Sequence, residues 1–155
     1  MSAVGRIRLQ RSFRNFEGKQ VCHVGHSVGL TFNLAVGTCY PIRRKSQRRG
    51  RYGGYLRKSD LDIFAFAADW RLERRSGYRL ESRDDGPRIR RELGQLTRAK
   101  IISISLVGSL PRLVVTFRGG TRLEFLGDAG NTEDPFGWYV AGLPGLKRET
   151  FSLLD

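Results

Sequence analysis

Apolar residues along this chain recur mostly at a period of two, in short runs separated by glycine-rich punctuation. That pattern is the signature of half-buried β-strands. Gln20 to Ser27 and Leu30 to Val36, split by the small residues around Gly29, predict a first hairpin. Leu61 to Leu72 reads as one long strand, and Ser76-Gly77 turns it into Tyr78 to Ser82. Lys100 to Val107 resumes the β pattern, and Leu113 to Phe117, Gly119-Gly120 and Thr121 to Leu126 form the clearest hairpin, since Gly-Gly suits a turn that needs positive φ. A polar loop from Gly127 to Pro135 leads to an aromatic strand, Phe136 to Val140, and the tail from Gly142 onward shows no periodicity.

One segment departs from period two. Asp84-Asp85-Gly86-Pro87 supplies a capping acid and a proline for a first turn. Ile89, Leu93 and Leu96 follow at i, i+4 and i+7, with Arg88, Arg90, Arg91 and Glu92 facing away. A helix ending near Thr97 is predicted. The N-terminus interleaves Arg6, Arg8, Arg11 and Arg14 with Ile7, Leu9 and Phe13, an alternation that reads as a strand. The fold class expected is therefore α+β, a single domain over 1–155 of mostly antiparallel β-sheet with one main helix. Leu30 to Thr38 also lines up with Leu113 to Thr121, sharing Leu, Gly and Thr at the same offsets. Either the chain holds two related hairpin halves or two hairpins merely look alike.

Phe66-Ala67-Ala68-Asp69-Trp70-Arg71-Leu72, then Ser82 to Asp85, the helix, Leu113 to Leu126 and Trp138 resemble a family of small uncharacterised bacterial proteins. In that family a strand ending in Trp-Arg-Leu or Trp-Arg-Ile precedes a helix and a hairpin with a late tryptophan. The resemblance spans roughly residues 28–140. It implies the fold and carries no activity, and the Arg-rich stretch described next is not part of its pattern.

Charge changes the picture more than composition does. Residues 1–58 hold thirteen Lys or Arg against the single acid Glu17, for +12, whereas residues 59–155 hold fifteen against fourteen, for +1. The excess concentrates in residues 43–58, where Arg43, Arg44, Lys45, Arg48, Arg49, Arg51, Arg57 and Lys58 stand without an acid among them. Such a segment repels itself and buries little, so it reads as a flexible, solvated loop that engages a polyanion. Arginine grips phosphate bidentately, Tyr52 and Tyr55 can stack on unpaired bases, and Gly50, Gly53 and Gly54 let the backbone follow an irregular strand. Arg49 to Gly54 is similar to one unit of the RGG segments of RNA-binding proteins. Nucleic acid is the first partner this chemistry fits. The alternative is an immunity- or antitoxin-like module whose basic surface docks on an acidic protein.

The other candidates are weaker. Cys22, His26 and Cys39 carry soft ligands suited to zinc, and strict alternation puts Cys22 and His26 on one strand face. That set is one ligand short of a closed site, so no metal or other cofactor is assigned, and both cysteines are expected as small buried residues, with a Cys22–Cys39 disulfide the least favoured alternative. Ser27 with His26, or Cys22 with His23, could be drawn as nucleophile and base, but neighbours on a strand point apart. Asp60, Asp62 and Asp69 are expected to pair with the surplus arginines, and Trp70 and Trp138 to anchor the core. The acidic stretch with Asp128, Glu133 and Asp134 could bind a cation or the chain's own basic loop. No apolar run approaches the roughly 20 residues of a membrane span, and no secretory signal is evident. With only two cysteines, a reducing cytoplasm is the default. The function expected is non-enzymatic binding.

Overall fold

The computed structural model describes residues 3–27, 31–41, 57–66, 69–108, 112–126 and 137–141. Among these described residues lie two α-helices and eleven strands, seven strands following the first helix and four the second. Helix α1 spans Ala3–Phe13 and runs into a 3₁₀ turn, Arg14–Phe16. Strands β1 (Val21–Ser27) and β2 (Thr31–Val36) form the first hairpin, and β3 (Tyr40–Pro41) and β4 (Arg57–Lys58) form a short ribbon beyond it. Strands β5 (Leu61–Phe66), β6 (Trp70–Glu73) and β7 (Arg79–Glu81) follow. Helix α2 (Gly86–Gly94) precedes β8 (Ile101–Val107), β9 (Arg112–Phe117), β10 (Arg122–Phe125) and β11 (Gly137–Ala141). All strand pairings among the described residues are antiparallel. One sheet has the order β1-β2-β5-β11 and the other β7-β6-β10-β9-β8, so the chain is α+β and mostly β, as expected.

Four features differ from the sequence reading, the first being the short ribbon of β3 and β4, which takes Arg57 and Lys58 out of the expected flexible loop. The stretch Leu61 to Leu72 is two strands in different sheets, β5 in the first and β6 in the second. The N-terminus is a helix, because Leu9, Phe13 and Phe16 recur at i, i+4 and i+7 and all three are buried. In α2, Glu92 is buried rather than turned to solvent, and its carboxylate accepts a hydrogen bond from Arg74 at 2.9 Å. The rest of α2 follows its sequence signals. Asp85 caps the helix by accepting from the Arg88 N–H, Pro87 lies in the first turn, and Ile89 and Leu93 are buried.

The two halves of the chain repeat one another around a shared seam. Elements α1, β1, β2, β5 and β6 correspond in order to α2, β8, β9, β10 and β11. Each half builds three strands of one sheet and donates its fourth to the other: β6 pairs with β10, and β11 pairs with β5. The details repeat as well. Leu9, Phe13 and Phe16 answer Ile89, Leu93 and Leu96, and a register shift between Val21 and His23 answers one between Ile101 and Ser103. Trp70 opposes Phe125 where Trp138 opposes Ala65, so the two tryptophans occupy equivalent backbone positions. The sequence echo found the right strands but two residues out of step. The pairings set Thr31–Val36 on Arg112–Phe117.

At the seam the backbones exchange four hydrogen bonds of 2.8–2.9 Å. Gly18 N–H donates to the Ile101 carbonyl and Arg98 N–H to that of Val21; Ile101 N–H donates to Lys19 and Val21 N–H to Ala99. Gln20 and Lys100 face each other as a single antiparallel bridge. Buried side chains from both helices and both sheets form one cluster, in which Phe32 of the first sheet contacts Trp70 and Phe125 of the second. The halves are thus held by apolar burial as well as by the seam.

Candidate nucleic-acid interface

The basic stretch springs from the hairpin of β2 and β5, and its root is tied down at three points. The Gly37 N–H donates to the Gln20 carbonyl at 2.8 Å, and Gly37 has φ +92, a conformation that favours glycine. The space a Cβ would occupy there is filled by the Asp60 side chain. The Asp60 carboxylate accepts from Lys19 Nζ at 3.0 Å and from the Thr38 N–H at 3.2 Å. The Lys19 bond, helped by Thr38, holds this carboxyl below the usual aspartate range. One residue further on, Cys39 is disulfide-bonded to Cys22, with the two Cα atoms 5.8 Å apart.

Beyond this root, Tyr40 pairs with Lys58 and Pro41 with Arg57, placing the backbone of those two bases in a ribbon. The other sequence-predicted contacts, Arg43, Arg44, Lys45, Arg48, Arg49, Arg51, Tyr52 and Tyr55, lie outside the described residues. So do Asp128, Glu133 and Asp134.

The disulfide corrects two expectations. Cys22 and Cys39 are not small free thiols, and with their sulfurs bonded to each other they offer neither thiolate ligands nor a nucleophile. Cys22 sits where the β1 register shifts, which also breaks the strict alternation that put it on a face with His26. Among the described residues no group of three His, Cys, Asp or Glu is placed to hold a metal ion. His26 instead stands edge-on to Trp70, with ring centroids 6.5 Å apart. Burial, and secondarily Arg90, pushes its pKa below the ordinary histidine value. Asp62 is half-buried, and desolvation raises its carboxyl, against the opposing pull of Ser59 and His23.

Elsewhere several arginines are paired with carboxylates. Arg71 bridges Glu124 at 2.8 Å and Glu73 at 3.6 Å, and Arg112 meets the other oxygen of Glu124 at 2.8 Å. Arg79 pairs with Glu73, Arg74 with Glu92 and Arg88 with Asp84. Asp69 accepts from Ser82 Oγ at 2.9 Å and from Arg83 at 3.3 Å, beside a cleft of about 250 Å³ that Trp70 also lines. Trp70 is a core anchor, 1% exposed.

A different set of cations collects near the seam and was not singled out by the sequence. Arg98, Lys100 and Arg118 are all exposed, and none forms an ion pair among the described residues. The Arg118 N–H donates to the Lys100 carbonyl at 2.8 Å, as Gly37 does to Gln20. Only long-range pairing brings residues 98–100 and 118 toward the root of the basic stretch. No helix among the described residues is long and apolar enough to cross a membrane. Comparison with protein-family models, characterised proteins and solved structures finds no match to this chain.

Proposed function

We propose that this protein is a non-enzymatic nucleic-acid-binding protein whose contact is the basic arm, residues 43–58. One contrast carries the reading. Six of the scaffold's carboxylates, Asp60, Asp69, Glu73, Asp84, Glu92 and Glu124, are already engaged by its own Lys and Arg side chains. The arm has eight bases, two tyrosines and no acid. Its positive charge therefore has no partner within its own segment, and a polyanion supplies one. The anchored root at Gly37, Asp60 and Cys39 supports the same reading, because it fixes where the arm leaves the scaffold. Arg43, Arg44, Lys45, Arg48, Arg49, Arg51, Arg57 and Lys58 neutralise phosphates, while Tyr52 and Tyr55 stack on bases. Contact of this kind is salt-dependent and nearly blind to sequence.

Recovery from a cell lysate with and without nuclease tests it. Nucleic acid is expected to co-purify with the protein and to vanish on nuclease treatment. Retention of an acidic protein that survives nuclease would refute the proposal and favour a protein-docking module.

A further inference from the structure

We propose that Arg98, Lys100 and Arg118 form a fixed cationic rail on the scaffold, along which a single-stranded nucleic acid held by the arm lays its phosphates. The inference rests on the arm's reading and extends the contact to residues with defined positions.

The placement follows from the backbone. Gly37, Gln20, Lys100 and Arg118 are successive neighbours in one ladder: Gly37 bonds to Gln20, Gln20 bridges Lys100, and Lys100 accepts from Arg118. Neighbouring chains in such a ladder lie about 4.8 Å apart, so the ladder runs roughly 14 Å from the arm's root to Arg118. The adjoining residues Val36, Val21, Ile101 and Phe117 are buried. Alternation therefore turns Gln20, Lys100 and Arg118 outward on a common side. Arg98 lies two residues before Lys100, and its N–H bonds to Val21, next to Cys22.

Two features of the rail oppose stability, and the repeat shows that the fold does not need them. Arg98 has φ +72 and is the one non-glycine residue with positive φ among those described. Its counterpart across the seam is Gly18, at φ +80. A long side chain is kept where the backbone calls for glycine, a form of strain that gathers at functional positions. Lys100 and Arg118 are like charges on neighbouring chains joined by a backbone hydrogen bond, an arrangement that opposes stability when no counter-charge lies between them. The corresponding pair in the first half is Gln20 and Gly37. Among nearby acids, Asp60 is held by Lys19, and Glu17 lies on the chain just before Gly18. Three positions that are uncharged in one half are thus cationic in the other, and among the described residues no carboxylate forms an ion pair with them. Polytopic phosphate contact satisfies all three, and the tyrosines of the arm select unpaired strands.

The test is the salt dependence of binding to a fluorescein-labelled oligo(dT) by the full chain and by an Arg98→Gly, Lys100→Gln, Arg118→Ser variant. Three lost phosphate contacts should make the slope of log K against log salt shallower by about 2. The melting temperature should not fall, because glycine suits position 98 and the like-charge pair is gone. An unchanged slope with normal oligo(dT) binding by the parent chain overturns the rail and leaves the arm's role standing. A shallower slope that comes with a lower melting temperature also overturns it, since the three residues would then be holding the fold. No oligo(dT) binding by the parent chain at low salt would remove both readings.

Discussion

Gly37 is where the scaffold becomes the arm, and two separate constraints meet there. Its φ of +92 disfavours any side chain, and the Asp60 carboxylate fills the Cβ position while engaging Lys19 and the Thr38 N–H. Gly119 shares the first constraint, at φ +94, but has open space around it. Gly37→Ala should therefore lower stability by about 1–3 kcal/mol, and by clearly more than Gly119→Ala. Urea denaturation of the two variants checks this, and equal losses would mean that the Asp60 contact contributes nothing. This device was not legible in the sequence, because Gly37 and Asp60 are brought together only by the pairing of β2 with β5. The Cys22–Cys39 bond escaped for a similar reason. Two cysteines 17 residues apart carry no mark of pairing, and the register shift that accompanies it in β1 leaves no trace in the hydrophobic pattern.

Helix α1 shows how a short window misleads. Over Arg6 to Leu9 the chain alternates basic and apolar residues, which satisfies period two. The deciding spacing, Leu9 to Phe13 to Phe16, is the one that identified α2 at Ile89, Leu93 and Leu96. The helix also covers the open edge of β8. The Arg6 guanidinium donates to the Leu106 and Gly108 carbonyls, and the Gln10 amide donates to Ile104 while accepting from the Leu106 N–H. Covering an edge in this way blocks pairing with other chains. Phe13→Ala should cost about 3–5 kcal/mol, as for a large aromatic removed from a packed core. A thermal or urea melt reads it, and a loss below about 1 kcal/mol would mean that α1 does not dock. Most of the longer elements were legible to within a residue or two, whereas the two-residue strands β3 and β4 carry no periodicity to read. Asp85, Pro87 and the apolar stripe specify α2 locally, and Gly119-Gly120 specifies the β9–β10 turn. The split of Leu61 to Leu72 was not legible, because a continuous apolar run does not record a change of sheet.

At the scale of the whole molecule, two similar halves trade their fourth strands and share one core. That exchange depends on contacts far apart in sequence, so the sequence showed only the faint hairpin echo. The halves differ most where charge is concentrated. The first carries the arm and its disulfide-tied root. The second carries the three cations by the seam among charges that nearly balance. The arm is the part of the candidate site that the sequence made plain, since an acid-free run of bases is visible without any fold. The anchoring of its root, and the cations beside it, required the fold. The central claim is that this arm holds nucleic acid through its phosphates. The most direct measurement is oligo(dT) affinity across a salt series, for the parent chain and for a variant with the eight arm bases replaced by serine. If all eight meet phosphates, the replacement should make the slope of log K against log salt shallower by about 5–6, with the melting temperature nearly unchanged. An unchanged slope in the serine variant, or a collapse of its fold, would contradict the account.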